Sequence, residues 1–305
     1  MTDSAHGAFI AEIAPLRDTL EAQCEAGRAL RLQRRNVPDA DSLGMAELAV
    51  EDTYSGTWNP HPVQTAHSLA AMRLWAAEDH ALAMCRLLQS EPVPVYGHVV
   101  LARAALEAAV LAGWLSEPSI GAKARVERLM TELLVDCAAH AQLADAVDPQ
   151  EAGAARARSQ AIRSAAATLG FTEVKSRKGA PPAIGERRPS MTDLARRHLQ
   201  DRDGSADDWG STMYRHYCSI AHANVHGLVQ SAEIDRDTAP AVDGLVRAAF
   251  VTKSRDTEMI LGVTLTAYGY AIGALAGLCG WHNSEWTNDW QSAFALLRTR
   301  FPATD

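Results

Sequence analysis

The chain has 305 residues, of which 47% are hydrophobic, 22% charged and 6% aromatic, and its formal charge is −8. It is too apolar for a disordered chain and too poor in Gly and Pro for a fibrous one. The acidic balance argues against broad electrostatic capture of nucleic acid and leaves room only for a local basic patch.

Alanine, the strongest helix former, is abundant, and strand-favouring runs are scarce. The fold class is therefore all-α, a multi-helix bundle. Phe9, Ile13, Leu16, Leu20 and Cys24 recur at three and four residues and predict a helix over 5–35. Residues 36–44 break it, and 52–62 form a polar, aromatic loop. Helices follow over 63–90, ended by Pro92 and Pro94, then over 95–116, 119–147 and 149–169. Residues 170–190 hold five bases against two acids and read as a flexible basic loop, either a solvated linker or an arm that meets phosphate. Further helices are expected over 191–200, 211–231, 240–252, 255–281 and 287–300. Residues 1–50 are set apart as an N-terminal helical extension, and 51–305 form the bundle.

Met259 to Trp281 is a run of 23 residues without a charge, with Gly269, Gly273 and Gly277 four apart. It is long enough to span a bilayer. Its two Thr, two Tyr and five Gly make it only modestly hydrophobic, so it reads as the central buried helix, with a membrane span as the alternative. Cys24, Cys85, Cys137, Cys218 and Cys279 are isolated, which fits neither a disulfide framework nor a zinc knuckle. With no basic-then-apolar block at the start, a reducing, cytoplasmic setting is expected.

The segment over 211–231 carries the chemistry. At 100° per residue, with Arg215 at 0°, Ser219 falls at about 40°, His222 at about −20° and His226 at about 20°. Buried polar groups cost free energy unless partnered, and the solvated faces of this chain are built from Arg, Asp and Glu. A stripe of one Arg, one Ser and two His suits a site that handles an anion or moves protons. A structural network fits the same residues: Arg215 paired with a carboxylate, His222 satisfied in the core, and Arg103 with Glu107 as an ordinary i,i+4 pair.

Arg215, six residues, then His222 resembles the Arg-x(4–6)-His signature of the HEPN superfamily of helical bundles. The string Tyr214-Arg215-x3-Ser219-x2-His222 is similar to the motif of HEPN-like bacterial domains of unassigned function. Arg103-x3-Glu107 and the apolar stretch to Trp114 resemble the Arg-x-x-x-Glu helix of those domains. The likeness covers roughly 63–282 and departs at His216, where many members carry Asn or another polar residue. It implies RNA cleavage without metal or cofactor, by a homodimer whose motif helices face each other, although many HEPN members only bind partners or nucleotides. On this reading His222 would take the 2′-hydroxyl proton or protonate the leaving oxygen, and Arg215 would hold the phosphate. Ser219 would orient either, and Glu107 would fix the imidazole or the arginine. Arg103, Tyr214 and His226 would bind substrate.

Other arrangements stay open. His222 and His226 have the i,i+4 spacing of a zinc pair, with Glu107 or Asp136 as a third ligand, but the Glu of a zincin is absent. A non-catalytic helical module would use the same groove to bind a protein partner or small ligand. A small-molecule enzyme would instead have a pocket near Trp58, Trp281 or Trp286.

Overall fold

The computed structural model describes residues 3–175, 182–200, 209–230, 232–235, 249–281 and 284–301. Over these the chain is all-α, with eleven α-helices: α1 (Asp3–Arg34), α2 (Leu43–Leu48), α3 (Pro62–Leu87), α4 (Gly97–Ser116), α5 (Ala122–Ala144), α6 (Pro149–Thr168), α7 (Met191–Leu199), α8 (Trp209–Ala221), α9 (Val225–Gln230), α10 (Ser254–Cys279) and α11 (Ser284–Arg300). Two short antiparallel hairpins complete it. β1 (Glu173–Val174) pairs with β2 (Ala183–Ile184), and β3 (Ala232–Asp235) with β4 (Ala249–Thr252).

Local chemistry sets many of the boundaries. Ser42, Asp148 and Ser190 are N-caps whose side-chain oxygens accept backbone N–H groups of α2, α6 and α7. Pro62 and Pro149 stand in the first turns of α3 and α6, where no intrahelical N–H is needed. Gly280 ends α10 with a φ of 72°, a left-handed conformation that glycine adopts without a Cβ penalty.

The centre is α4 and α10 packed together, with α3 against α4 and α1 against α10. Both central helices are long and apolar enough to cross a membrane, and 72% of the apolar window of each is buried within the protein. The segment 1–50 contributes to this main core, because α1 buries Ile13, Leu16, Leu20 and Cys24 in it. Gly269 gives way to a ring: a Cβ there would come within 2.3 Å of Trp290 on α11. A second core forms where Val126, Met130 and Leu134 of α5 meet Ile162 of α6, Phe171 and Ile184. All five cysteines are free thiols.

Three expectations need correction. The helix over 211–231 is two helices, because Ala223 takes a φ of 52°. The Asn224 N–H then returns to the Ser219 carbonyl and the Ala223 N–H to the Ile220 carbonyl, both at 2.9 Å, closing a Schellman cap. The helix expected over 240–252 is a strand at its described end, 249–252, where an Ala-Phe-Val-Thr run finds a partner in β3; 240–248 lie outside the described residues. The described ends of the 170–190 segment are strapped down. The Ile184 N–H donates to Thr131 Oγ1 at 3.0 Å, and Arg188 pairs with Glu132 of α5, also at 3.0 Å. Glu186 accepts from Arg128 at 2.7 Å. The tip of that loop, 176–181, lies outside the described residues.

Candidate functional site

Helices α4 and α8 pack against each other and bring the two motif segments together. On α4, Arg103 Nε donates to Glu107 Oε1 at 2.8 Å. The buried phenol of Tyr214, on α8, donates to the same oxygen at 3.0 Å. The Arg103 guanidinium carbon lies 6.0 Å from the centre of the Tyr214 ring. At the end of α8, His222 is exposed, with its Nε2 3.4 Å from Arg103 Nη1. One carboxylate thus clamps a guanidinium and a phenol, and the guanidinium reaches the imidazole.

The electrostatics follow from this arrangement. Partial burial pulls the Arg103 guanidinium down, but the Glu107 carboxylate outweighs it, so the net displacement is upward. Burial, and then the Glu107 charge, push the Tyr214 phenol well above its ordinary range, so it remains a hydrogen-bond donor. A guanidinium can only donate. Its contact with His222 therefore requires a neutral ring with the lone pair on Nε2. At 3.4 Å that contact is long, and an anionic oxygen entering between the two groups would be a better acceptor.

The other expected residues separate. Arg215 is exposed on α8, seven positions and roughly 10 Å of helix rise from His222. It makes no hydrogen bond or ion pair among the described residues. Ser219 is half-buried under α9 rather than on an open face. A Cβ on Gly227 would come within 2.5 Å of Ser219 Oγ and 2.8 Å of its carbonyl carbon, so only glycine allows this approach. His226 leaves the stripe because the Schellman cap turns α9 away from the axis of α8. It lies instead near His216, whose imidazole is pushed down by burial, pulled up by Asp256 and pushed down again by His226. The i,i+4 geometry needed for a zinc pair on one helix is lost, and no three-ligand metal cluster exists among the described residues.

Tyr214 braces the site from beneath instead of facing a substrate. Arg103, expected either to bind substrate or to pair with Glu107, does pair with Glu107 and also reaches His222. The His216–His226–Asp256 neighbourhood had no sequence signal, because it arises from the turn after α8. The tryptophans do not form one pocket. Trp58 packs on the second core, Trp281 and Trp290 on the main one, and the side chain of Trp286 lies outside the described set. No protein-family model matches this chain, and no match is found among curated proteins or solved structures.

Proposed function

We propose that this chain is a HEPN-like helical protein whose α4/α8 cluster acts on RNA phosphodiesters without a metal. The observation that carries the reading is the meeting of Arg103, held by Glu107, with exposed His222. These residues come from the two segments that resemble the family, and they lie 119 positions apart. In this reading a phosphate oxygen enters between Arg103 and His222, and Arg215, two turns back on α8, holds a neighbouring phosphate of the same strand. Arg103 balances the charge that develops on the reacting phosphate. The His222 imidazole takes or returns the ribose 2′-hydroxyl proton. Glu107 and Tyr214 act as positioning residues.

The test is cleavage of single-stranded and hairpin RNAs by the purified full chain in EDTA. His222→Ala is expected to reduce cleavage at least about 100-fold while the far-UV spectrum is retained. Arg215→Ala should weaken it by about tenfold or more. A folded wild-type protein that leaves all of these RNAs intact would sink the nuclease reading.

A second reading has an observation of its own. Val100, one turn before Arg103, is 46% exposed, and Val225 and Val229 on α9 are 77% and 58% exposed. The Tyr96 hydroxyl donates to the Leu228 carbonyl at 3.0 Å and ties α9 to the start of α4. An apolar rim around a polar centre suits a protein contact, either with a second copy or with another partner. In that case His222→Ala would weaken partner capture while RNA turnover is absent from the wild type.

A further inference from the structure

A second Arg–Glu–His set lies in the interior, at the junction of α2, α3 and α5. Glu47 of α2 accepts from Arg125 Nε at 2.7 Å and from Arg125 Nη2 at 3.0 Å. The same carboxylate is 2.8 Å from Nε2 of His67 on α3. Burial pushes the Glu47 carboxyl up, but the hydrogen bonds from His67 and Arg125 outweigh it and hold it below the usual carboxylate range. Glu47 is therefore the acceptor and His67 Nε2 carries a proton, which leaves Nδ1 as the ring atom open to a ligand. His67 is 8% exposed, and its Nδ1 is buried without a hydrogen-bond partner among the described residues. A buried polar atom left unmet costs free energy, which a ligand group placed against it recovers.

His67 lines a cavity of about 170 Å³ between α2, α3 and the end of α10. Trp281 forms part of its wall, with its indole N–H already spent on the Val37 carbonyl at 2.9 Å, so the ring offers only apolar surface. Leu275, Ala71 and Cys279 extend that wall. Asn36, also on the wall, follows Arg35 in a pair of residues with φ of 54° and 52°. Non-glycine residues in the left-handed region cost free energy and cluster at ligand clamps. No Asp, Glu, Lys or Arg lines the cavity among the described residues, and Arg125 is fully engaged by Glu47 and the carbonyls of Glu117 and Ile120. The space thus disfavours an ion. A cavity of about 150 Å³ accepts benzene.

We propose that this cavity binds a small uncharged molecule of monocyclic size that places one hydroxyl or amino group at His67 Nδ1 and lays its apolar body on Trp281. The site is distinct from the α4/α8 cluster, and the proposal is independent of the RNA reading. Calorimetric titration of the full chain with phenol, aniline and benzene tests it. Phenol and aniline are expected to bind saturably at one site, with benzene at least about tenfold weaker because it lacks the polar group that meets Nδ1. His67→Leu should bring phenol down to the level of benzene. Ala71→Leu, which leaves Glu47, His67 and Arg125 in place, should fill the space and abolish binding of all three; it decides the matter if His67→Leu does not fold. No saturable phenol or aniline binding, equal binding of benzene and phenol, or phenol binding that survives Ala71→Leu would each overturn the proposal.

Discussion

Two of the Arg–Glu–His sets among the described residues are wired in opposite order. In the interior, Glu47 is the middle member, and it holds Arg125 and His67 at once. At the α4/α8 surface Arg103 is the middle member, bound by Glu107 and reaching His222. A central carboxylate is occupied by both of its partners and closes the junction on itself. A central guanidinium leaves donors pointing outward and an imidazole in solvent. Burial reinforces the difference, since the Arg125 side chain is fully buried whereas those of Arg103 and Glu107 are 23% and 33% exposed. The same three residue types thus give a structural joint in one place and a reactive surface in the other.

The strongest way to break this contrast is to remove each carboxylate. Glu47→Ala would strand the Arg125 guanidinium in the interior, where an unpaired charge costs about 3–5 kcal/mol. Arg125 also caps the end of α4 through the carbonyls of Leu115 and Glu117. The loss should therefore appear as cooperative destabilisation in urea or guanidinium unfolding, with Glu47→Gln milder. A change below about 1 kcal/mol for Glu47→Ala would show that the interior set is not a joint.

A third imidazole sharpens the comparison through pH. His198 on α7 donates from Nε2 to the Ala267 carbonyl of α10 at 3.0 Å, and its ring fills the space over Gly113, where a Cβ would come within 2.2 Å. Because a carbonyl only accepts, Nε2 carries the proton. Burial lowers the imidazole to about 4, against the partial opposition of the Ala267 hydrogen bond. The unfolded chain, with an ordinary histidine near 6.5, therefore takes up the proton first as pH falls. The stabilising effect of the neutral buried ring is complete above pH 6.5 and is lost as pH falls from 6.5 towards 4. Between pH 7 and pH 5 this amounts to roughly 2 kcal/mol. His198→Gln should remove that part of the pH dependence in denaturation curves, whatever its effect at pH 7. An unchanged slope in the variant would show that His198 is not buried as a neutral ring.

These contrasts were only partly legible in the sequence. The helices over 63–90, 95–116 and 255–281 were readable because their apolar residues recur at helical spacing and Pro or Gly marks their ends. The convergence of Arg103, Glu107 and Tyr214 with His222 was foreshadowed by two local motifs on separate helices. The break after α8 was not, because its left-handed residue is Ala223 and not glycine, and the apolar pattern runs on through Val225 and Leu228. That one residue removed His226 from the stripe and placed Ser219 beneath Gly227. Of the interior set only a paired His67 on the core face of the 63–90 helix was legible; its partners were not, since His67 and Arg125 lie 20 and 78 positions from Glu47 and no spacing rule joins them. Local periodicity reports faces of single helices; it does not report which faces meet.

The smallest predicted effect on stability is also the one that best separates the two sets. Glu107→Gln removes a charge from a partly exposed pair, where solvent screening limits its worth to less than about 1 kcal/mol of folding free energy. The substituted amide can still accept from Tyr214, so α4 and α8 should remain packed. What changes is the hold on Arg103. Without the carboxylate, the guanidinium is no longer drawn to one position, and its approach to His222 loosens. RNA cleavage by the variant is expected to fall about tenfold, the equivalent of one interaction of about 1.4 kcal/mol lost from the transition state. Unfolding curves and cleavage rates measured on the same preparation, beside those of Glu47→Gln, check this. The surface glutamate should cost rate and little stability, and the interior glutamate should cost stability and, at temperatures where it stays folded, little rate. If both substitutions lowered stability equally and neither touched the rate, the two sets would be joints of the same kind, and the α4/α8 cluster would lose its claim to chemistry.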